Sequence, residues 1–262
     1  MNTTHENKSP WLRRFTTVPG GAAPLVCFPH AGGAATSFRP LSQALAPDVE
    51  VLAVQYPGRQ DRRQERSLES IAELADAVVE ALGPELPADC AFFGHSLGAV
   101  LAFEVARRYE RQPGAAGPVR IFASARRAPS VDRDDRVHLR DDAGIIAEMQ
   151  RLSGTDQEIL ADPELMALVL PTLRADYKAI ESYRPAQDAR VRCPITALVG
   201  DEDPVTTVHD AAAWHAHSAA GATVRVLPGG HFYLDPQIDA VAREVRTALG
   251  THPGGTPVGT RT

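Results

Sequence analysis

Six short apolar runs punctuate the chain, at Pro24–Phe28, Val49–Gln55, Cys90–Phe93, Val119–Ala123, Ile195–Val199 and Thr223–Leu227. Each is brief, and most are bracketed by Pro, Gly or Asp, the pattern of strands buried on both faces. Between them the period changes to that of a helix. Ile71, Leu74, Ala75, Val78 and Leu82 fall at i, i+3, i+4, i+7 and i+11, a single apolar stripe on a surface helix. Ile238, Val241, Val245 and Leu249 make a second stripe. Asp235-Pro236 is expected to open that helix as N-cap and N1 proline, and Gly250 to close it. Strand alternating with helix predicts an α/β fold, a mostly parallel sheet flanked by helices on both faces.

One stretch breaks the alternation. Residues 132–184 carry no strand pattern but two helical ones. The first spans Asp142–Leu152, with Ile145, Ile146, Met149 and Leu152 on one side. The second opens at Asp162-Pro163, aligns Leu165, Val169, Leu173 and Tyr177, and contains Pro171, which is expected to kink it. Apolar-faced helices inserted between strands predict a cap over one end of the sheet, in preference to helices that simply pack on it. Residues 1–10 are polar and 250–262 are turn formers, so both are expected as tails, the second disordered, around one domain over 11–249.

Composition narrows the function classes. The 262 residues carry 27 Lys and Arg against 33 Asp and Glu, a net charge of −6, which argues against a nucleic-acid binder. The apolar runs are far too short for a membrane span, and the opening MNTTHENKSPWLRRF lacks a signal-peptide core. A cytoplasmic protein without membrane association is expected. Cys27, Cys90 and Cys193, an odd number in or beside strands, are expected to be buried inert thiols, not a disulfide framework. His209, His215 and His217 fit no metal spacing and read as a solvated helix. Neither a metal nor a cofactor is expected.

The chemistry is carried by Gly94-His95-Ser96-Leu97-Gly98, a G-x-S-x-G between an apolar strand and an Ala-rich helix. That context is the strand-to-helix turn of a nucleophile elbow, which lifts a serine hydroxyl above the sheet at a helix N-terminus. A serine hydroxyl needs a base, and the base an orienting acid, in the chain order Ser, acid, His on such a sheet. Of the nine histidines, His231 directly follows the last strand pattern, at the carboxyl edge where open sheets keep their sites. Asp201, Glu202 and Asp203 all follow the preceding strand. Asp203 is favoured because it lies deeper in the loop and Pro204 stiffens the backbone after it, with Asp201 in reserve. Oxyanion donors are expected at the Leu97 N–H and, from the glycine-rich loop Phe28–Gly33, at the Ala31 N–H.

Several motifs in fixed order then resemble one family. LVCFPHAGGAATSF at 25–38, VQYPGR at 54–59, FFGHSLGA at 92–99, RRAPS at 126–130, LPTLRADY at 170–177, VGDEDP at 199–204 and GGHFYL at 229–234 are similar to the stand-alone (type II) thioesterases of polyketide and nonribosomal peptide synthases. These belong to the α/β-hydrolase superfamily. The resemblance spans Trp11 to about Leu249. It implies a nucleophile at Ser96, acid at Asp203, base at His231, oxyanion donors at Ala31 and Leu97, and a mobile helical lid over 132–184. It further implies hydrolysis of acyl groups from the phosphopantetheine arm of an acyl or peptidyl carrier protein, an editing activity, by an enzyme expected to be monomeric. Carrier proteins are acidic, so docking is expected to use Arg59, Arg62, Arg63, Arg126 and Arg127, which follow strand patterns. A general carboxylesterase or lipase-like hydrolase, or a catalytically dead hydrolase acting as a binding partner, are the competing readings.

Overall fold

The computed structural model describes residues 9–83, 86–152 and 162–251. Seven strands form one sheet: β1 (Leu12–Arg13), β2 (Ala23–Phe28), β3 (Val49–Val54), β4 (Ala91–His95), β5 (Ile121–Ser124), β6 (Ile195–Gly200) and β7 (Ala222–Leu227). Their spatial order is β1-β3-β2-β4-β5-β6-β7. All neighbours pair in parallel except β1, which runs antiparallel to β3. β1 has only two residues, too short for any alternation to register in the sequence. The chain steps from β2 outward to β3, then crosses back to β4 and continues in the opposite direction. Loops leaving the carboxyl ends of β2 and β4 therefore diverge and leave a crevice between them, the place where such sheets bind ligands.

Helices α1 (Arg39–Leu45) and α7 (Ile238–Leu249) cover one face of the sheet, and α2 (Ile71–Leu82) with α3 (Leu97–Arg111) the other. The strand period sorts the core between them. Leu25, Cys27, Phe93 and Phe122 join Leu41, Leu45, Val241 and Val245, whereas Val26, Phe28, Phe92 and Ile121 join Leu74, Val78, Val100 and Phe103. β7 departs from the expectation of burial on both faces. It is the edge strand, and its exposure alternates, with Val226 half exposed.

α7 starts at Ile238 with Gln237 in the N-cap position and no side-chain cap, so Asp235-Pro236 does not open it. Tyr233 and Leu234 are buried in the core there, and this anchor holds the chain in turns until Gln237. Gly250 adopts φ 68° and ends the helix as expected.

The insertion between β5 and β6 contains α4 (Asp142–Leu152) and α5 (Pro163–Glu181), and a short helix, α6 (Val208–Ala212), follows β6. Asp162 caps α5, its carboxylate accepting from the Glu164 and Leu165 N–H groups at 2.9 and 3.2 Å, and the helix continues on both sides of Pro171. Its buried stripe is displaced from the expected one. Met166, Leu170 and Leu173 face inward while Leu165 is 42% exposed, because the helix packs on Val137 and Ile145 at one end and reaches the main core through Ala179 and Ile180 at the other. The tail residues 1–8 and 252–262 lie outside the described residues. Among the described residues no helix is long and apolar enough to cross a membrane.

Candidate active site

The crevice between β2 and β4 is occupied by the elbow. Ser96 follows β4 with φ 53° and ψ −116°, a conformation L-residues avoid, and its N–H is tied to the Ser124 carbonyl at 2.8 Å. The flanking glycines make this turn possible. A Cβ on Gly94 would lie 2.1 Å from the Gly98 carbonyl oxygen, and one on Gly98 would lie 2.0 Å from the Phe28 carbonyl oxygen. No side chain fits at either position, so α3 leaves β4 in direct backbone contact with the end of β2.

The Ser96 hydroxyl lies 3.0 Å from His231 Nε2, and His231 Nδ1 lies 2.9 Å from Asp203 Oδ2. A carboxylate only accepts, so Nδ1 carries the proton and Nε2 is free to accept from the hydroxyl. The second Asp203 oxygen accepts from the N–H groups of Val205 and Thr206 at 2.9 and 3.1 Å. Asp203 and His231 are both buried. Asp201 has a different task, its carboxylate accepting from the Gly229 N–H at 2.8 Å in the loop that delivers His231. Two further histidines surround His231. Burial, together with His231 and Arg59, lowers the pKa of His30 from 6.5 to about 4, and burial drives that of His95 well down. Both rings are therefore neutral apolar-edged packing around the site at neutral pH. His95 Nδ1 meets the Ser124 hydroxyl at 2.9 Å, which in turn meets the Tyr233 hydroxyl at 2.6 Å.

The loop after β2 is held from three sides. Tyr56 donates to the Pro29 carbonyl at 3.2 Å, Arg59 Nε donates to the Gly33 carbonyl at 3.0 Å, and Asp176 Oδ2 accepts from the Gly32 N–H at 2.7 Å. Arg59 also forms a buried ion pair with the same Asp176 oxygen and stacks over the Tyr56 ring, 4.8 Å from its centroid. Between these ties sits Ala31. Among the described residues neither its N–H nor that of Leu97 has a protein acceptor, and both residues line the cleft with Ser96 and His231. Asp176 was not among the sequence candidates. The available signal was an ionisable residue on an apolar stripe, three or four positions from Leu173, Ala179 and Ile180.

The cleft over Ser96 is roofed by the insertion, through Val137, Glu148, Tyr177, Ile180 and Glu181. The structure corrects the expected docking arginines. Arg59 is buried against Asp176. Arg62 is buried between Glu65, paired at 2.6 Å, and the Trp11 ring, and Arg127 is buried with Asp135 at 2.8 Å. None of these presents charge to solvent. Arg126 lines the cleft, where burial and the adjacent Arg127 lower its pKa to about 9, and Arg63 is exposed. His217 is likewise corrected: it is buried, donates from Nδ1 to the Ala189 carbonyl at 2.8 Å and accepts at Nε2 from the Ser130 N–H. The three cysteines are buried free thiols with raised pKa values, about 12 for Cys90 and Cys193, as expected of inert ones. Among the described residues no cluster of His, Cys, Asp or Glu side chains is arranged to hold a metal ion.

A serine, histidine and aspartate linked in this sense at a parallel-sheet switch point are what serine hydrolases of the α/β-hydrolase fold have in common. Comparison with known proteins narrows that class. Residues 23–249 match the family model described as a thioesterase domain. The chain is 49% identical over 240 residues to thioesterase PikA5 of Streptomyces venezuelae, covering 91% of this chain and 85% of that one. It is 47% identical over 253 residues to a probable cadicidin biosynthesis thioesterase of Streptomyces griseus, covering 97% and 69%. Among solved structures it superposes on the type II thioesterase BorB from the borrelidin biosynthetic cluster with a TM-score of 0.84 at 44% identity, covering 91% and 97%. The chain belongs to the thioesterase family, as a hydrolase of thioesters similar to the stand-alone type II enzymes.

Proposed function

We propose that this enzyme hydrolyses acyl groups from the phosphopantetheine arm of carrier proteins in polyketide or nonribosomal peptide synthesis, clearing stalled or aberrant units. The observation that carries the reading is the unbroken series from Asp203 through His231 to the Ser96 hydroxyl, opening on a roofed cleft. His231 takes the hydroxyl proton as Ser96 Oγ attacks the thioester carbonyl. The bond to sulfur breaks, the thiol of the arm departs protonated, and an acyl ester remains on Ser96. Water, deprotonated by His231, then attacks that ester and releases the acid with Ser96 restored. Asp203 keeps Nδ1 protonated and steadies the imidazolium between these steps. Negative charge developing on the carbonyl oxygen is met by the N–H groups of Ala31 and Leu97, the latter at the start of α3. The ties to Tyr56, Arg59 and Asp176 fix where the Ala31 donor points.

In this reading the insertion is a mobile lid, and the enzyme works as a cytoplasmic monomer beside its synthase. Of the arginines considered for docking, exposed Arg63 is the one left to meet an acidic carrier from outside the cleft. Mass spectrometry of an acylated carrier protein tests the function. Wild-type enzyme is expected to remove the acyl mass, and Ser96→Ala to lower the rate by about 10⁴–10⁶-fold. Persistent deacylation by the variant would refute the assignment.

A further inference from the structure

Arg126 stands apart from the other arginines of this rim. Arg59, Arg62 and Arg127 each hold a carboxylate. The Arg126 guanidinium makes no hydrogen bond or ion pair among the described residues, and its Nε is sealed from solvent without an acceptor. It nevertheless lines the cleft that contains Ser96 and His231, and with Arg127, Ile180 and Glu181 it also lines the adjoining pocket beside Tyr183 and Arg184. A buried N–H without a partner is costly, so one on a residue that lines a cleft calls for an acceptor supplied from within that cleft.

The carboxylates nearby are already engaged. Asp135 pairs with Arg127. Glu181 accepts from the Val137 and His138 N–H groups at 2.7 and 3.0 Å and pairs with the His138 ring. Glu148 is bridged by Arg140 and Arg151. These three carboxylates line the same cleft but are held by other partners, so none of them completes the Arg126 fork, and a carbonyl oxygen of a bound molecule can take the free donor. We propose that Arg126 is a substrate-anchoring residue that donates to a neutral carbonyl oxygen of the bound acyl-pantetheine thioester. The inference rests on the thioesterase reading above. Two parts of such a substrate carry that oxygen, an oxo group on the acyl chain and the amides of the pantetheine arm.

Two rate ratios separate these sources: kcat/KM for 3-oxobutyryl- over butyryl-pantetheine, and for butyryl-pantetheine over the butyryl thioester of ethanethiol. Arg126→Met removes the donor at similar length and is expected to lower one of the two ratios by about tenfold to a hundredfold, with Arg126→Lys retaining part of it. The first ratio falling assigns the acyl chain, and the second the arm. Each ratio is measured on a single enzyme preparation, so loss of folded protein cancels, and Arg126→Gln serves if the methionine variant does not fold. Both ratios unchanged in the variants, with Ser96-dependent hydrolysis intact, would overturn the anchor and leave the thioesterase. No hydrolysis of any of these thioesters by wild-type enzyme would instead defeat the parent reading, and the anchor with it.

Discussion

The floor of the cleft and its roof are secured by different means. On the floor, Ser96, Asp203, His231 and the loop around Ala31 leave the ends of β4, β6, β7 and β2, strands whose side chains fill the two large cores on either face of the sheet. The groups around them are cross-tied by hydrogen bonds to main chain, as at Asp203 and Gly32. Beyond Ala179 and Ile180, which reach the main core, the roof depends on a small separate cluster, Val137, Ile145, Met166, Leu170 and Leu173, and on ion pairs with an exposed partner, such as Arg174 with Asp142 and Arg140 with Glu148. Exposed pairs contribute little to stability. Groups that must hold a fixed geometry sit on the rigid layer, and groups that shape the space for a substrate sit on the layer with less holding it down. Asp176 crosses between them, a roof residue whose carboxylate grips the floor.

Substitutions probe this division, beginning where the effect is greatest. Asp203→Asn is expected to reduce kcat by about 10⁴-fold, because an amide no longer enforces the Nδ1 proton of His231, whereas Asp201→Asn reduces it less than about tenfold. Steady-state kinetics on one acyl-pantetheine checks both, and equal losses would mean that the acid is misassigned. Next is the tie between layers. Arg59→Met leaves Asp176 buried without its cation, a change worth about 3–5 kcal/mol. Urea unfolding reads the loss, and kcat is expected to fall with little change in KM because the Ala31 donor is no longer held. A stable, fully active variant would show that floor and roof are independent.

Truncation within the roof should cost less. Leu170→Ala is expected to lower stability by about 2–3 kcal/mol, the low end for a buried leucine because the small cluster can relax. It is expected to shift acyl-length preference while leaving reaction of Ser96 with a small fluorophosphonate within about threefold of wild type. The last effect is confined to acid pH. His30 stays neutral in the fold down to about pH 4 but takes a proton near 6.5 when unfolded. The unfolded chain therefore binds more protons in that window, and stability falls as pH drops from 6.5 towards 4 and is fully present above it. His30→Phe should flatten that slope in urea unfolding measured across the window. An unchanged slope would mean that the imidazole titrates alike in both states.

How far the sequence could be read follows the range of the forces involved. The elbow, the Asp162 cap and the six parallel strands are local patterns, and they appear within a residue or two of where they were expected. That Ser96, Asp203 and His231 meet in one hydrogen-bonded series was legible because sheet order dictates which loops come together at this edge. Asp203 and Asp201 are told apart only by which nitrogen each carboxylate meets. The arginine runs misled for a related reason. Charge along a sequence does not distinguish a solvated guanidinium from one buried on a carboxylate 117 residues away, as Arg59 is on Asp176. His217 was hidden similarly, since its partners Ala189 and Ser130 are remote in the chain.

The close approach at Gly98 has a consequence for how this enzyme can vary. The first turn of α3, carrying the Leu97 N–H, rests on the Phe28 carbonyl, from which the chain runs directly on to Ala31. The gap between the Leu97 and Ala31 N–H groups is therefore gauged by main chain touching main chain. The same contact leaves Gly98 no room for a side chain, so changes that reshape the space for a substrate fall to the covering above.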